Sequence, residues 1–292
     1  MKKMLSVIAL LLYTAVANGQ TGLTVSELLY QPVSGEAEYV ELYNNSSQPV
    51  MLDGYHVVRW LGDTLDRHYE LPPHVVGAHE YVVLTTSAAS VVANYDVKYL
   101  DRVVECELPP YPNTGGSVVI CTADGAVADR FDYSPSMHSR LLRNKAGVAL
   151  ERRSFQRPAN DRGNWFSASS ACGYGTPGYG NSQSTETLAE ENSFVFSSTV
   201  VSPDGDDYQD VLVVEYDLSD GGLMGRAEVY DARGAKVRTL VGSFLLGTSG
   251  ALVWDGLGDG DRALPPGHYV VQITLYGIEG TQQVVRRAVA VR

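Results

Sequence analysis

The sequence predicts an all-β protein, two immunoglobulin-like β-sandwich domains in tandem behind a cleavable leader. Three observations carry that prediction. Short runs rich in Val, Tyr, Thr and Leu recur between clusters of Gly, Pro, Asn and Asp. The 29 Gly and 13 Pro supply turns often enough to separate sandwich strands. No segment after the leader carries a convincing helical period.

The leader comes first. Lys2 and Lys3 precede an apolar run at 4–17 and the small-residue site Ala17-Asn18-Gly19, the pattern of a secretory signal peptide cleaved before Gln20. The run is shorter than the roughly 20 residues that cross a bilayer. No Cys follows it, so the expected mature N-terminus carries no lipid. Export to the periplasm, the cell surface or the medium is the expectation.

Strand runs at 39–43, 81–85 and 117–121 mark the first half, and runs at 211–216 and 269–275 the second. Between them, residues 183–193 are polar, lack aromatics and read as a linker. The expected plan is a signal peptide at 1–19, a sandwich at 20–182, the polar linker at 183–193 and a second sandwich at 194–292. In the 39–43 run, alternation turns Val40 and Leu42 inward and Tyr39, Glu41 and Tyr43 to the other face. Glu38 and Glu41 then lie on opposite faces and cannot form the facing pair of a glycosidase. Glu41 and Asn44 are expected to fix the strand end and its turn through backbone hydrogen bonds. Trp165 is expected to anchor the core or the domain edge. With 18 Tyr in the chain, tyrosines exposed on strands are expected to serve an interface.

The segments SELLYQPVSGEAEYVELYNNSSQPVMLDGYHV, LPPHVVGAHEYVVLTT, NTGGSVVI, DGAVADRFDY, MHSRLLRNKAGVALERRSF and NWFSASSACGYGTPGYGNSQ follow one another over about 160 residues. In that order they resemble the lamin tail domain, an immunoglobulin-like sandwich also found in exported bacterial proteins. The resemblance implies a binding or spacer module, in some proteins attached to nucleases or phosphoesterases. In the second half, SPDGDDYQDVLVVEY, AEVYDARGAKVRTL, LVWDGLGDGDRALPPGHYVVQITLY and VVRRAVAVR resemble the immunoglobulin-like repeat of the flagellar hook-capping protein FlgD. They resemble more loosely the C-terminal sorting domains of Bacteroidetes type IX secretion cargo. Trp254-Asp255-Gly256 favours the first comparison, and Trp254 is expected to cover the open end of the core.

Charge and motifs narrow the function. The formal net charge of −12 becomes −14 once Lys2 and Lys3 are removed, so nucleic acid is not the expected partner. The basic clusters at 140–143, 152–153 and 286–287 read as solvated surface. Gly173-Tyr174-Gly175-Thr176-Pro177-Gly178 spells a dinucleotide-binding pattern, but Pro177, Gly178 and Gly180 forbid the helix that pattern opens. His56, His68, His74, His79, His138 and His268 show no metal-ligand spacing. Cys106, Cys121 and Cys172 allow one disulfide in any of three pairings, with the leftover thiol a weak candidate nucleophile.

One acidic run stands out. Asp204, Asp206 and Asp210 place hard oxygen ligands close together, as calcium requires, although an ordinary acidic turn accounts for the same residues. Gln209 at the sixth position, and a strand after the loop, exclude an EF-hand even with Glu215 at the twelfth. Asp255, Asp259 and Asp261 form a weaker candidate. No cofactor is required, and a structural calcium is the one candidate. The expected function is that of an exported, non-enzymatic structural and interaction protein facing a protein or glycan at the cell envelope. The alternatives are secretion cargo whose second sandwich is a sorting domain, and a hydrolase or its accessory protein.

Overall fold

The computed structural model describes residues 22–61, 64–185, 189–277 and 280–292, so the leader lies outside the described residues. The chain is all-β and immunoglobulin-like. In the first sandwich, a six-stranded sheet runs in the order Trp165–Ser167, Leu150–Arg152, Leu23–Leu29, Tyr39–Asn44, Tyr81–Thr85, Val103–Glu105. It packs on a four-stranded sheet ordered Val127–Tyr133, Gly116–Cys121, His56–Leu61, Thr64–Glu70. Val40 and Leu42 face the core between the sheets, as alternation requires, with Val57, Val118, Ile120, Phe131 and Trp165. Trp165 stacks on Phe131 with ring centroids 3.5 Å apart.

The larger sheet is buried on both faces. Its outer face packs Leu29, Tyr39 and Val83 against Val91 and Tyr95, and against Ala149 and Ala168. All six residues of Tyr39–Asn44 are therefore buried. Val91 belongs to the one α-helix among the described residues, Ala88–Asn94, whose Ser87 cap accepts from the Ser90 amide. Sequence periodicity misses this helix because seven residues make two turns with a single buried side chain. The expectation of strand tyrosines facing solvent is corrected in part, since Tyr81, Tyr230 and Tyr276 stay half-exposed on their strands. Tyr39, Tyr43, Tyr69, Tyr133, Tyr216 and Tyr269 are buried, and the well-exposed tyrosines, Tyr99 and Tyr208, lie off the strands.

A register shift between Val25 and Glu27 has a further effect. Val25 and Leu28 both face the main core, so the bulge turns Ser26 and Glu27 to the outer face. Asp129 and Arg152 hold it in place. The Asp129 carboxylate accepts from Val25 N at 2.9 Å and from Arg152 Nη1 at 2.8 Å, and Arg152 Nη1 also donates to Val25 O. Arg152, expected on solvated surface, is thus a buried structural cation, 4% exposed.

In the second sandwich, a three-stranded sheet ordered Ser193–Phe196, Leu212–Asp217, Ser249–Trp254 faces a five-stranded one ordered Val200–Val201, Gln282–Val291, Gly267–Tyr276, Met224–Asp231, Lys236–Leu245. Alternation holds cleanly: Leu212, Val214 and Tyr216 point in, while Val213 and Glu215 do not. Trp254 is 1% exposed and donates from Nε1 to Leu257 O. The three thiols are free. Cys106 and Cys172 pack against different clusters and Cys121 belongs to a third, so the packing separates them.

The segment expected to be a loose polar linker is docked where it begins. Gln183 is fully buried, donates to Leu246 O and accepts from Gly222 N. Thr248 N donates to Ser182 O, and Ser169 Oγ to Leu245 O. Arg153, also expected to be solvated, pairs with Asp220 at 2.8 Å and lies over the Phe166 ring. Polar residues that could not build a core instead satisfy backbone groups between the two sandwiches. Gly222 is part of this seam: its φ is +72°, and a Cβ there would come within 2.5 Å of the Phe166 ring. Gly222→Ala is expected to cost about 1–3 kcal/mol in chemical denaturation of the whole chain.

Candidate functional site

The acidic loop forms as the sequence suggests. Between Val200–Val201 and Leu212–Asp217 the chain takes positive φ at Gly205, Asp207 and Gln209, and Asx-type bonds tighten it. Asp210 accepts from the Gly205 and Asp207 amides, Asp204 from the Asp206 amide, and Asp206 from the Tyr208 amide. One carboxylate oxygen from each of Asp204, Asp206 and Asp210 lies within 4.8 Å of the others. Each carboxylate thus has a backbone partner already, and its remaining lone pairs are what the loop has for a cation. The donor set is the hard-oxygen kind that suits calcium. Asp210→Ala would strand two amides and is expected to cost about 1 kcal/mol, read from the melt with and without millimolar calcium. A melting temperature insensitive to calcium and chelator would assign the cluster to the turn alone.

The weaker acidic candidate does not form a cation site. Arg238 occupies it, 3.5 Å from the Asp255 carboxylate and 3.1 Å from that of Asp261, while Asp259 accepts from Thr239 N. Glu215 stands on a strand, paired with Ala251 and Val195.

The most unusual chemistry lies elsewhere, at residues the sequence reading did not group. Glu27, Glu41 and Glu151 come from three adjacent strands, with Glu27 paired to both others in register. All three are fully buried on the outer face of the large sheet. The glycine-rich segment 173–183 forms a strap over them. Thr176 N donates to Glu27, Gly178 N to Glu41 Oε2 at 2.6 Å, and Gln183 N to Glu151 Oε2 at 2.9 Å. Tyr39 Oη donates to Glu27 at 2.5 Å, and Ser182 Oγ to Glu151. The dinucleotide-like motif thus presents its amides to the protein's own carboxyls. Gly175 is required here, since a Cβ would come within 2.7 Å of Tyr39 Oη and of the Tyr95 ring.

Burial dominates the electrostatics. It pushes Glu27 up to about 8, with the Glu151 charge adding to the rise. Burial, then the neighbouring Glu27 charge, raises Glu41 well above the usual carboxylate range, and burial raises Glu151. Glu38, which accepts from Tyr111 N, is raised to about 7, again by burial. Burial and Lys145 lower His138 to about 4. The thiols are pushed the wrong way for a nucleophile, Cys106 to about 11 and Cys172 to about 12, first by burial.

Asn44 fixes its turn as expected, donating to the carbonyls of Gln48, Val76 and Gly77 and accepting from Ser46. Glu41 does bind backbone, but across the fold on the strap. Among the described residues, no hydrogen bond reaches its Oε1. The burial of Glu41, though not its meeting with Glu27 and Glu151, could be read in Tyr39-Val40-Glu41-Leu42-Tyr43, where a face with an aromatic on either side of Glu41 is a poor solvent face.

Fold and site together define an immunoglobulin-like β-sandwich protein with a strapped carboxyl cluster in its first sandwich. Residues 17–135 match the Lamin Tail Domain family. No curated relative matches the chain. Among solved structures, FlgD from P. aeruginosa is 20% identical over 36% of this chain and 78% of its own, with a TM-score of 0.24. Dimeric latent PorU from Porphyromonas gingivalis is 9% identical over 95% of this chain and 21% of its own, at 0.28. PorZ, a surface component of the type-IX secretion system of the same organism, is 10% identical over 92% and 38%, at 0.26. The chain thus spans about a fifth of PorU and under two fifths of PorZ, and these likenesses carry no argument about activity. Among the described residues, no helix is long and apolar enough to cross a membrane.

Proposed function

We propose that this chain is an exported structural and interaction protein whose two sandwiches act as one stiff unit. The lamin-tail-like sandwich is the binding or spacer module and the FlgD-like sandwich the assembly or anchoring module. The seam around Gln183 carries this reading, because its buried hydrogen bonds fix one sandwich against the other. A tether would leave them independent. The same seam speaks against a second sandwich shed by cleavage near 183–193, since separation would bare the Leu245 and Leu246 carbonyls. A non-enzymatic role is supported by where the shifted groups lie: Glu27, Glu41 and Glu151 are sealed beneath the strap, and both half-buried thiols are held protonated. The partner is a protein or glycan of the cell envelope.

Protease shaving of intact cells, with intact-mass analysis of envelope and medium, tests the reading. The expected species runs from Gln20 to Arg292 and is accessible at the surface. A product ending within 183–193, or an uncleaved chain confined to the cytoplasm, would overturn it.

A further inference from the structure

We propose that Glu27, Glu41 and Glu151 form a proton-held latch, in which a retained proton fastens the strap 173–183 to the first sandwich and its loss frees both the strap and the seam. The first ground is a hydrogen count. Thr176 Oγ1 lies 2.9 Å from Glu27 Oε2 and 2.9 Å from Glu151 Oε1. A hydroxyl has one hydrogen to give. If both carboxyls were ionised, one of these contacts would set oxygen against oxygen, so one carboxyl donates to Thr176 and keeps its proton.

The second ground is that, among the described residues, no compensating cation contacts the cluster. The groups that act on the three carboxyls are Tyr39, Thr176, Gly178, Ser26, Ser182, Gln183 and one another. Tyr95 from the helix end, Cys172 just before the strap and Tyr179 within it face them too, and each is raised first by burial and then by their charge. Glu36 and Asp96 add negative charge, acting on Tyr95 and Tyr179. The neighbouring cations engage other groups. Arg152 is turned to Asp129, Arg102 binds Gly178 O and Glu80, and Lys98 lies over the Tyr179 ring. Two or three carboxylates in such a site repel strongly.

The third ground is what the latch holds. Ser182 and Gln183 bind Glu151 on one side, and on the other Gln183 and the Ser182 carbonyl bind the second sandwich. Thr176 and Gly178 bind Glu27 and Glu41. Charging the cluster therefore loosens strap and seam together.

The sign follows from the raised ionisation. The folded cluster keeps protons that the unfolded chain sheds from about 4.5 upward, up to the folded value of about 8 for Glu27. The latch is therefore firm below the ordinary glutamate range and is lost as pH rises through about 8.

The test is amide exchange on the full-length protein, expressed as protection factors at Thr176, Gly178 and Gln183 between about pH 6 and about pH 9. Protection is expected to fall, by up to about tenfold per pH unit for each proton released, before that of the two cores. The infrared carbonyl band of protonated carboxyls is expected to disappear over the same range. In Glu151→Gln the amide oxygen still accepts from Ser182 and Gln183, and its nitrogen donates to Thr176, so the pH dependence should flatten with the strap held. Three results would each overturn the proposal: flat wild-type protection from pH 6 to 9, no protonated-carboxyl band at pH 6, or an unchanged slope in Glu151→Gln. Because burial also raises Glu38 to about 7, the infrared measurement is repeated in Glu38→Gln, where a band that persists at pH 6 and is lost by pH 9 belongs to the cluster and decides the matter if Glu151→Gln fails to fold.

Discussion

Replacing Trp165 with alanine is expected to destabilise the first sandwich by about 3–5 kcal/mol, a large part of the roughly 5–15 kcal/mol that holds a domain together. The indole is 2% exposed and stacks on Phe131 with an interplanar angle of 11°. Its Nε1 donates to Ala159 O at 2.6 Å. Alanine would leave a cavity and also an orphaned carbonyl. Chemical denaturation of the purified chain measures the loss, and a shift below about 1 kcal/mol would mean that the Trp165 site collapses without cost.

The second large effect is expected at Arg152. Arg152→Leu removes the guanidinium that bonds Asp129, Val25 O and Arg157 O, leaving Asp129 largely buried without its cation. Breaking a buried pair from one side costs about 3–5 kcal/mol. Because Asp129 and Arg152 hold the bulge that turns Glu27 outward, the damage should spread to the strap, and exchange at Thr176 should speed in parallel with the fall in global stability. Joint replacement of Asp129 and Arg152 by apolar residues should recover part of the loss, which a double-mutant cycle would measure.

These two sites show what could be read from the sequence. Where a strand alternates without interruption, as at Leu212–Asp217, the inward residues Leu212, Val214 and Tyr216 follow the strand period that the sequence shows. Alternation alone cannot place Leu23–Leu29, because the bulge after Val25 breaks the period. It also misjudged Tyr39 and Tyr43, whose face is covered by a helix and a strap that lie far along the chain. The acidic loop was legible because Asp204, Asp206 and Asp210 are neighbours in sequence. Glu27, Glu41 and Glu151 are more than a hundred residues apart at the extremes and meet only through strand order, so no local motif announces them. The glycine motif at 173–178 opens no helix, and the carboxyls that accept from its amides could not be named without the sheet. The run at 183–193 was read from polarity alone, and polarity does not separate a free tether from a segment docked at its start, as this one is at Gln183.

The claim on which the functional reading rests is that the two sandwiches move as one body. Residual dipolar couplings from backbone amides of the full chain in a weakly aligning medium test this directly, with one alignment tensor fitted to each sandwich. At neutral pH the two tensors should agree in magnitude and orientation. Tensors that differ in magnitude would show the sandwiches reorienting independently, and the seam at Gln183 would then not be what joins them.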